Sequence, residues 1–363
     1  MTAIDIFMPT YAAPPVTFVR GRGTELWDSE GKRYLDFLCG LAVTSLGHAH
    51  PAVADALDHQ ARTLLHVSNL FANDVAPRVA AQIDDLLGGG GQVFFGNSGA
   101  EANECAIKLA RKWGGRGKFG VISAYGSFHG RTLATLHATG QPSKHEPFQP
   151  LPEGFRHVAW NDLEALEAAI TPEVAAVLVE PVQGEGGVFP ATAEFVQGAR
   201  RLCDERGLLL IVDEIQTGLG RTGRWFGYEH FGVQPDVVTL AKALGNGVPI
   251  GACWARRDVA AAFEPGDHGS TFGGTAIATA AAGERLTQAL SATSGVKEVR
   301  GLGLLLAAEL DGHDAKAVNT ALLERGLVAN AVTPTAIRFA PPLTVSDGEI
   351  DEAMGIFAEV LRA

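Results

Sequence analysis

The chain has 363 residues, which at about 150 residues per domain points to two domains. Lys and Arg number 29 against 41 Asp and Glu, a net charge of −12, so binding to nucleic-acid phosphates or anionic lipid, which runs on Lys and Arg, is disfavoured. Hydrophobic residues at 46% and charged residues at 19% exclude a disordered or fibrous chain, and 44 glycines call for special backbone positions or close approach to a ligand.

The first fifteen residues, Met1 to Pro15, carry Asp5 and no Lys or Arg, so they lack the basic region of a secretory signal. Thr24–Trp27 and Arg33–Phe37 flank the turn Ser29-Glu30-Gly31 and predict a hairpin. A helix is expected at Pro51–Leu65. Five short apolar runs then read as strands: Gln92–Phe95, Gly120–Ala124, Ala175–Glu180, Leu208–Val212 and Val237–Leu240. Helical periods at Ala100–Arg111, Leu163–Ile170 and Ala193–Arg206 alternate with them, the pattern of βαβ units in a largely parallel sheet. Beyond residue 282 the pattern changes to a strand within Gly301–Leu310, a helix at Ala315–Arg325 closed by Gly326, a strand at Ile337–Phe339 and a helix at Asp347–Arg362. The expected fold class is therefore α/β. A large domain, residues 46–282, carries the mostly parallel sheet, and a smaller α+β domain is built from residues 1–45 and 283–363.

Cys39, Cys105, Cys203 and Cys253 lie far apart in no metal-ligand spacing, so neither a zinc site nor a disulfide framework is expected. No apolar run approaches the roughly 20 residues of a membrane span. A cytoplasmic protein without membrane, nucleic-acid or metal partners is the expectation.

Three elements carry chemistry. Asp213 ends an apolar strand, where open α/β sheets bind ligands. Lys242 ends another, before Leu244-Gly-Asn-Gly-Val-Pro249, where desolvation favours a neutral, nucleophilic amine. Strand, loop and helix across Val93-Phe-Phe-Gly-Asn-Ser-Gly-Ala100 offer the Ser98 hydroxyl and the Gly99 and Ala100 amides as an anion site at a helix start. Each alone has a plain alternative in a capped helix or a solvated loop charge.

Together, and in this order, they resemble the class III pyridoxal-phosphate aminotransferases of fold type I. The likeness runs over Asn97-Ser-Gly-Ala-Glu-Ala-Asn-Glu104, Phe128-His-Gly-Arg-Thr132, Glu180-Pro-Val-Gln-Gly-Glu-Gly-Gly187, Asp213-Glu-Ile-Gln-Thr-Gly218, Gly245-Asn-Gly-Val-Pro-Ile-Gly251, Gly269-Ser-Thr-Phe-Gly-Gly274 and Ile337-Arg-Phe-Ala-Pro-Pro-Leu343. The resemblance implies pyridoxal 5'-phosphate as cofactor. Lys242 would attach to it and move the proton, Asp213 would pair with its pyridine nitrogen, and Gln216 would reach its phenolic oxygen. Phe128 would stack on the ring beside His129. Ser98, Gly99 and Ala100 would hold the phosphate, joined by Thr271 from the partner subunit of a homodimer.

For substrates it implies Arg338, at a strand end read as exposed, as the carboxylate fork, with Glu185 as the acid that covers it when an amine enters. Arg131 would hold the α-carboxylate of acetylornithine, with Ser270, Tyr11 and Asn69 on the same wall. The implied reaction moves the distal amino group of N2-acetylornithine to 2-oxoglutarate. Ornithine, succinylornithine, succinyl-diaminopimelate and 4-aminobutyrate donors are alternatives, and a catalytically silent binding protein is a remote one. Against the family pattern the stretch from Gly274 to Gly301 is short, as though a helix and its linker were missing near residues 282–283.

Two motifs are set aside. Gly218-Leu-Gly-Arg-Thr-Gly223 matches the dinucleotide fingerprint but is followed by no periodic helix. His48-Ala-His50 has no third metal ligand nearby in the sequence.

Overall fold

The computed structural model describes residues 7–275 and 296–362. The short stretch and the 282–283 boundary lie outside the described residues.

Seven strands form the main sheet, in the order Gly91–Gly96, Gly251–Arg256, Val237–Leu240, Leu209–Asp213, Val174–Val179, Gly120–Ala124, Phe155–Val158. All neighbours run parallel except Gly251–Arg256, which is antiparallel to both strands beside it. Val174–Val179 and Leu209–Asp213 are buried along their whole length, because helices cover both faces and favour apolar residues, Asp213 at the strand end being the exception. The helix Gly99–Gly114 packs one face with Cys105, Ala106, Leu109 and Ala110, and Ala193–Arg206 packs the other with Phe195, Val196, Ala199 and Leu202. Ser98 caps the first helix by accepting from the Glu101 N–H at 3.2 Å, and Thr192 caps the second by accepting from Phe195.

The chain ends meet in a smaller unit. Phe18–Arg22, Glu25–Asp28 and Arg33–Asp36 form an antiparallel meander, one strand more than the expected hairpin, and Arg33–Asp36 pairs in parallel with Leu327–Val328. Leu35 and Phe37 join Leu306, Leu322, Phe339 and Phe357 in its core. The single strand expected within Gly301–Leu310 is a hairpin of Val296–Leu302 and Leu305–Leu310, because Gly303, at φ +55°, turns the chain where Leu302 faces Leu305.

Arg221 joins the two cores. It is buried and donates from Nη1 to the carbonyls of Leu304 (3.1 Å) and Pro341 (2.6 Å) and from Nη2 to Ser45 Oγ (3.0 Å). Among the described residues no helix is long and apolar enough to cross a membrane.

Candidate active site

A cavity of about 380 Å³ opens at the carboxyl ends of the central strands. Its walls include Ser98, Gly99, Ala100, Phe128, His129, Arg131, Glu180, Glu185, Asp213, Gln216 and Lys242. Residues from five separate chain segments are thus brought together. Thr271 and Tyr11 are exposed and do not line it; Tyr11 is 90% exposed. Ser270 and Asn69 stand beside it: Asn97 Nδ2 donates to Ser270 Oγ at 2.9 Å, and Asn69 Nδ2 donates to the Ser270 and Gly273 carbonyls at 3.1 Å each.

At the base, Asp213 ends its strand 3% exposed. Asn103 Nδ2 donates to its Oδ2 at 2.8 Å, His129 Nδ1 lies 2.8 Å from the same oxygen, and the Ile215 N–H donates to Oδ1 at 3.0 Å. Asn103 is itself fixed, because its Oδ1 accepts from Thr239 Oγ1 at 2.8 Å and its Nδ2 also donates to the His129 carbonyl. Asn103 was not among the expected site residues. The available signal is a carboxamide on a helix face otherwise made of Ala102, Cys105, Ala106 and Leu109. Glu180 is the second addition. Burial and the Asp213 charge push it well above the usual carboxyl range, while its Oε2 accepts from the Phe128 N–H at 3.2 Å.

Lys242 follows the strand Val237–Leu240 with φ +49°, a left-handed conformation that costs a non-glycine residue about 1–3 kcal/mol. Burial lowers its amine below the usual lysine value; the Glu185 carboxylate opposes this and the Arg338 cation adds to it. A neutral amine is the nucleophilic form. At the phosphate-like wall, the Gly99 and Ala100 amides open the helix with no backbone acceptor. Gly251 runs so close behind that an added Cβ would stand 2.2 Å from the Ser98 carbonyl oxygen.

Arg338 corrects the expectation of an exposed strand end. The strand Ala336–Phe339 is buried at all four positions and Arg338 is 1% exposed. Its Nη1 meets Glu185 Oε1 at 2.7 Å, the Gly184 carbonyl at 3.1 Å and Gln216 Oε1 at 3.3 Å, and its Nη2 donates to Asn330 Oδ1 at 2.8 Å. Against the cost of burial, that cation and its hydrogen bond hold Glu185 below the usual carboxylate range. Arg131, by contrast, has no ion pair among the described residues; its guanidinium stands 5.6 Å from the Phe128 ring centre. Both set-aside motifs are structural. The Gly218–Gly223 turn presents Arg221 to the second core, and His48 Nε2 pairs with Asp36 Oδ2 at 2.7 Å.

The model of the aminotransferase class-III family matches residues 7–290 and 279–361. The acetylornithine aminotransferase of Caldanaerobacter subterraneus subsp. tengcongensis is 48% identical over 98% of this chain and 96% of its own length. That of Gloeobacter violaceus is 50% identical over 97% and 95%. Among solved structures, the ornithine aminotransferase from Toxoplasma gondii superposes with a TM-score of 0.92 at 35% identity, covering 99% of this chain and 93% of that one.

Proposed function

The chain belongs to the class III aminotransferases, enzymes dependent on pyridoxal 5'-phosphate, and from that premise we propose that it moves the distal amino group of N2-acetylornithine to 2-oxoglutarate, giving N-acetylglutamate 5-semialdehyde and glutamate. The residues present suit the cofactor. The Gly99 and Ala100 amides at the helix start suit an anion, Gly251 lets the backbone pass close behind the Ser98 loop, and His129 Nε2 is buried at the cavity wall with no hydrogen-bond partner among the described residues.

When bound, the cofactor supplies an aldehyde that takes up amino groups and a pyridine ring that holds the electron pair left by a departing proton. Ser98, Gly99 and Ala100 would hold its phosphate, with Thr271 contributed from a partner subunit. Phe128 and His129 would flank its ring, and Gln216 would face its phenolic oxygen. Asp213 would give the pyridine nitrogen a fixed negative partner, while burial and the Asp213 charge push Glu180 well above the usual carboxyl range, which disfavours a second charge beside it. Lys242 would hold the aldehyde in the absence of substrate. Its amine, kept below the usual lysine value by burial, would carry the proton between the amine-bearing carbon of the substrate and the former aldehyde carbon of the cofactor, on the far side of the nitrogen that joins them.

One observation carries the substrate reading: Arg338, buried behind the cavity wall, is neutralised by Glu185, which lines the cavity, whereas Arg131, on the same wall, has no ion pair among the described residues. A molecule entering amine first meets no bare cation beside Lys242 and finds one for its trailing carboxylate. That is the polarity of an ω-amino donor. The diacid acceptor then needs Glu185 to turn aside, so that Arg338 takes the α-carboxylate in a bidentate grip.

The reading includes a cytoplasmic homodimer. Leu65, Leu70, Phe71 and Phe272 are 57%, 86%, 71% and 59% exposed near Ser270 and Thr271, an apolar surface suited to a second copy. It also includes the division into 1–45 with 283–363 against 46–282, supported by the pairing of Arg33–Asp36 with Leu327–Val328. Steady-state comparison of acetylornithine, ornithine, succinylornithine and 4-aminobutyrate as donors tests the substrate. Acetylornithine is expected to lead in kcat/KM, and a tenfold lead for 4-aminobutyrate overturns the assignment.

A further inference from the structure

Lys144 lies in the one-turn helix Pro142–His145, and its ammonium stands 5.9 Å from the centre of the Phe128 ring, the same ring that Arg131 approaches at 5.6 Å. The side chain is held in place. Its Nζ donates to Gln141 Oε1, and Gln141 Nε2 donates to the Ser127 carbonyl at 2.9 Å, in the segment that leads into Phe128. The next residue, His145, is buried and anchored through Nε2 to the Thr139 carbonyl. Neither Lys144 nor Arg131 has a carboxylate within ion-pair distance among the described residues. Two cations thus share one ring without a carboxylate partner among the described residues, in a chain with twelve excess negative charges.

Burial and the Arg131 charge hold the Lys144 ammonium below the usual lysine value, and Glu185 only partly offsets them. Like charges kept together in this way are relieved by an anion between them. Glu185 cannot serve, because it is engaged with Arg338 at 2.7 Å.

We propose that Lys144 is a specificity-determining residue that, with Arg131, grips the distal carboxylate of both substrates: the donor's α-carboxylate and the far carboxylate of the diacid acceptor. This rests on the functional reading above for the direction in which substrates enter. Arg131 supplies a planar fork and Lys144 a compact point charge, so together they favour chains ending in a carboxylate over plain amines.

The test compares the holoenzyme with its K144M, K144Q and K144R variants, using glutarate, an unreactive diacid, as calorimetric probe alongside steady-state kinetics. The dissociation constant for glutarate and the KM values for acetylornithine and 2-oxoglutarate are expected to rise about tenfold in K144M and K144Q. They should stay within about threefold in K144R, with kcat within twofold and the cofactor's visible absorbance unchanged throughout. Unchanged glutarate affinity in K144M or K144Q overturns the proposal. Weakened glutarate binding in an enzyme that turns over no ω-amino donor upholds Lys144 and overturns the functional reading instead.

Discussion

Glu185 Oε1 lies 2.7 Å from Nη1 of Arg338, so the carboxylate on the cavity wall is matched by a buried cation behind it. Removing the acid while keeping its shape, as in Glu185→Gln, leaves Arg338 a bare buried cation facing an incoming amine. The half-reaction with acetylornithine should slow about 10- to 100-fold in kcat/KM, while that with glutamate holds or improves, because its α-carboxylate no longer competes with Glu185. Single-turnover absorbance changes resolve the two halves. Equal losses in both would mean that the pair serves packing alone.

Lys242 is the proposed point of covalent attachment and of proton movement, so Lys242→Ala should fail on both counts. Turnover should drop at least about 1,000-fold, and borohydride should fix no cofactor to the chain, although the phosphate wall still binds it. Mass spectrometry of the reduced protein reads this directly. A labelled Lys242→Ala variant would move the attachment to another lysine.

Asn103 acts through Asp213. Asn103→Leu fills the same space but removes the donor 2.8 Å from Asp213 Oδ2 and leaves Thr239 Oγ1 without its acceptor. A loss of about tenfold in kcat is expected, with a shifted visible band because the carboxylate under the ring is no longer held square. Asp213→Asn should cost about 1,000-fold by removing the charge itself. An Asn103→Leu enzyme with an unaltered spectrum and kcat would refute the positioning role.

His157 supplies an acid-sensitive component of stability. Burial lowers it from an ordinary 6.5 to about 4, helped by the ring of His145, 5.5 Å away, and that of His137, 6.2 Å away; Tyr125 stands 5.6 Å off on the other contact. The unfolded chain therefore takes up a proton near pH 6.5 that the folded chain refuses until about pH 4, and stability falls as pH drops through that window. Between pH 7 and 5 the loss amounts to about 2 kcal/mol. His157→Phe should lose correspondingly less over the same range, measured by melting temperature at each pH. Parallel acid profiles for the two proteins would contradict this.

Much of the main sheet is legible in the sequence because parallel strands buried on both faces are apolar along their length, as Val174–Val179 is and as Leu209–Asp213 is up to its final carboxylate. The strand Gly251–Arg256 is not, since Gly-Ala-Cys-Trp-Ala-Arg shows neither alternation nor a β-branched run; its pairing is imposed by neighbours on both sides. In the site, Asp213, Lys242 and the Ser98 loop stand out because strand ends and helix starts announce themselves by residue type. Asn103 and Glu180 do not, because their importance lies in facing Asp213 across 110 and 33 positions of chain. Arg221 misleads for the same reason. Its glycine setting imitates a nucleotide loop, and the carbonyls that hold it, from Leu304 and Pro341, arrive more than 80 residues later.

The parallel pairing of Arg33–Asp36 with Leu327–Val328 also sets a timetable for the nascent chain. Leu35 donates to the Gly326 carbonyl at 2.7 Å and Phe37 to that of Val328 at 2.9 Å, partners that a ribosome makes some 290 residues later. At about 5–20 residues per second the first meander waits on the order of 15–60 s for its fourth strand, with Leu35 and Phe37 bare of their final cover. The central sheet can close in that interval. A holding chaperone would therefore find its binding segment near the amino terminus, and release would depend on translation reaching the last fifty residues.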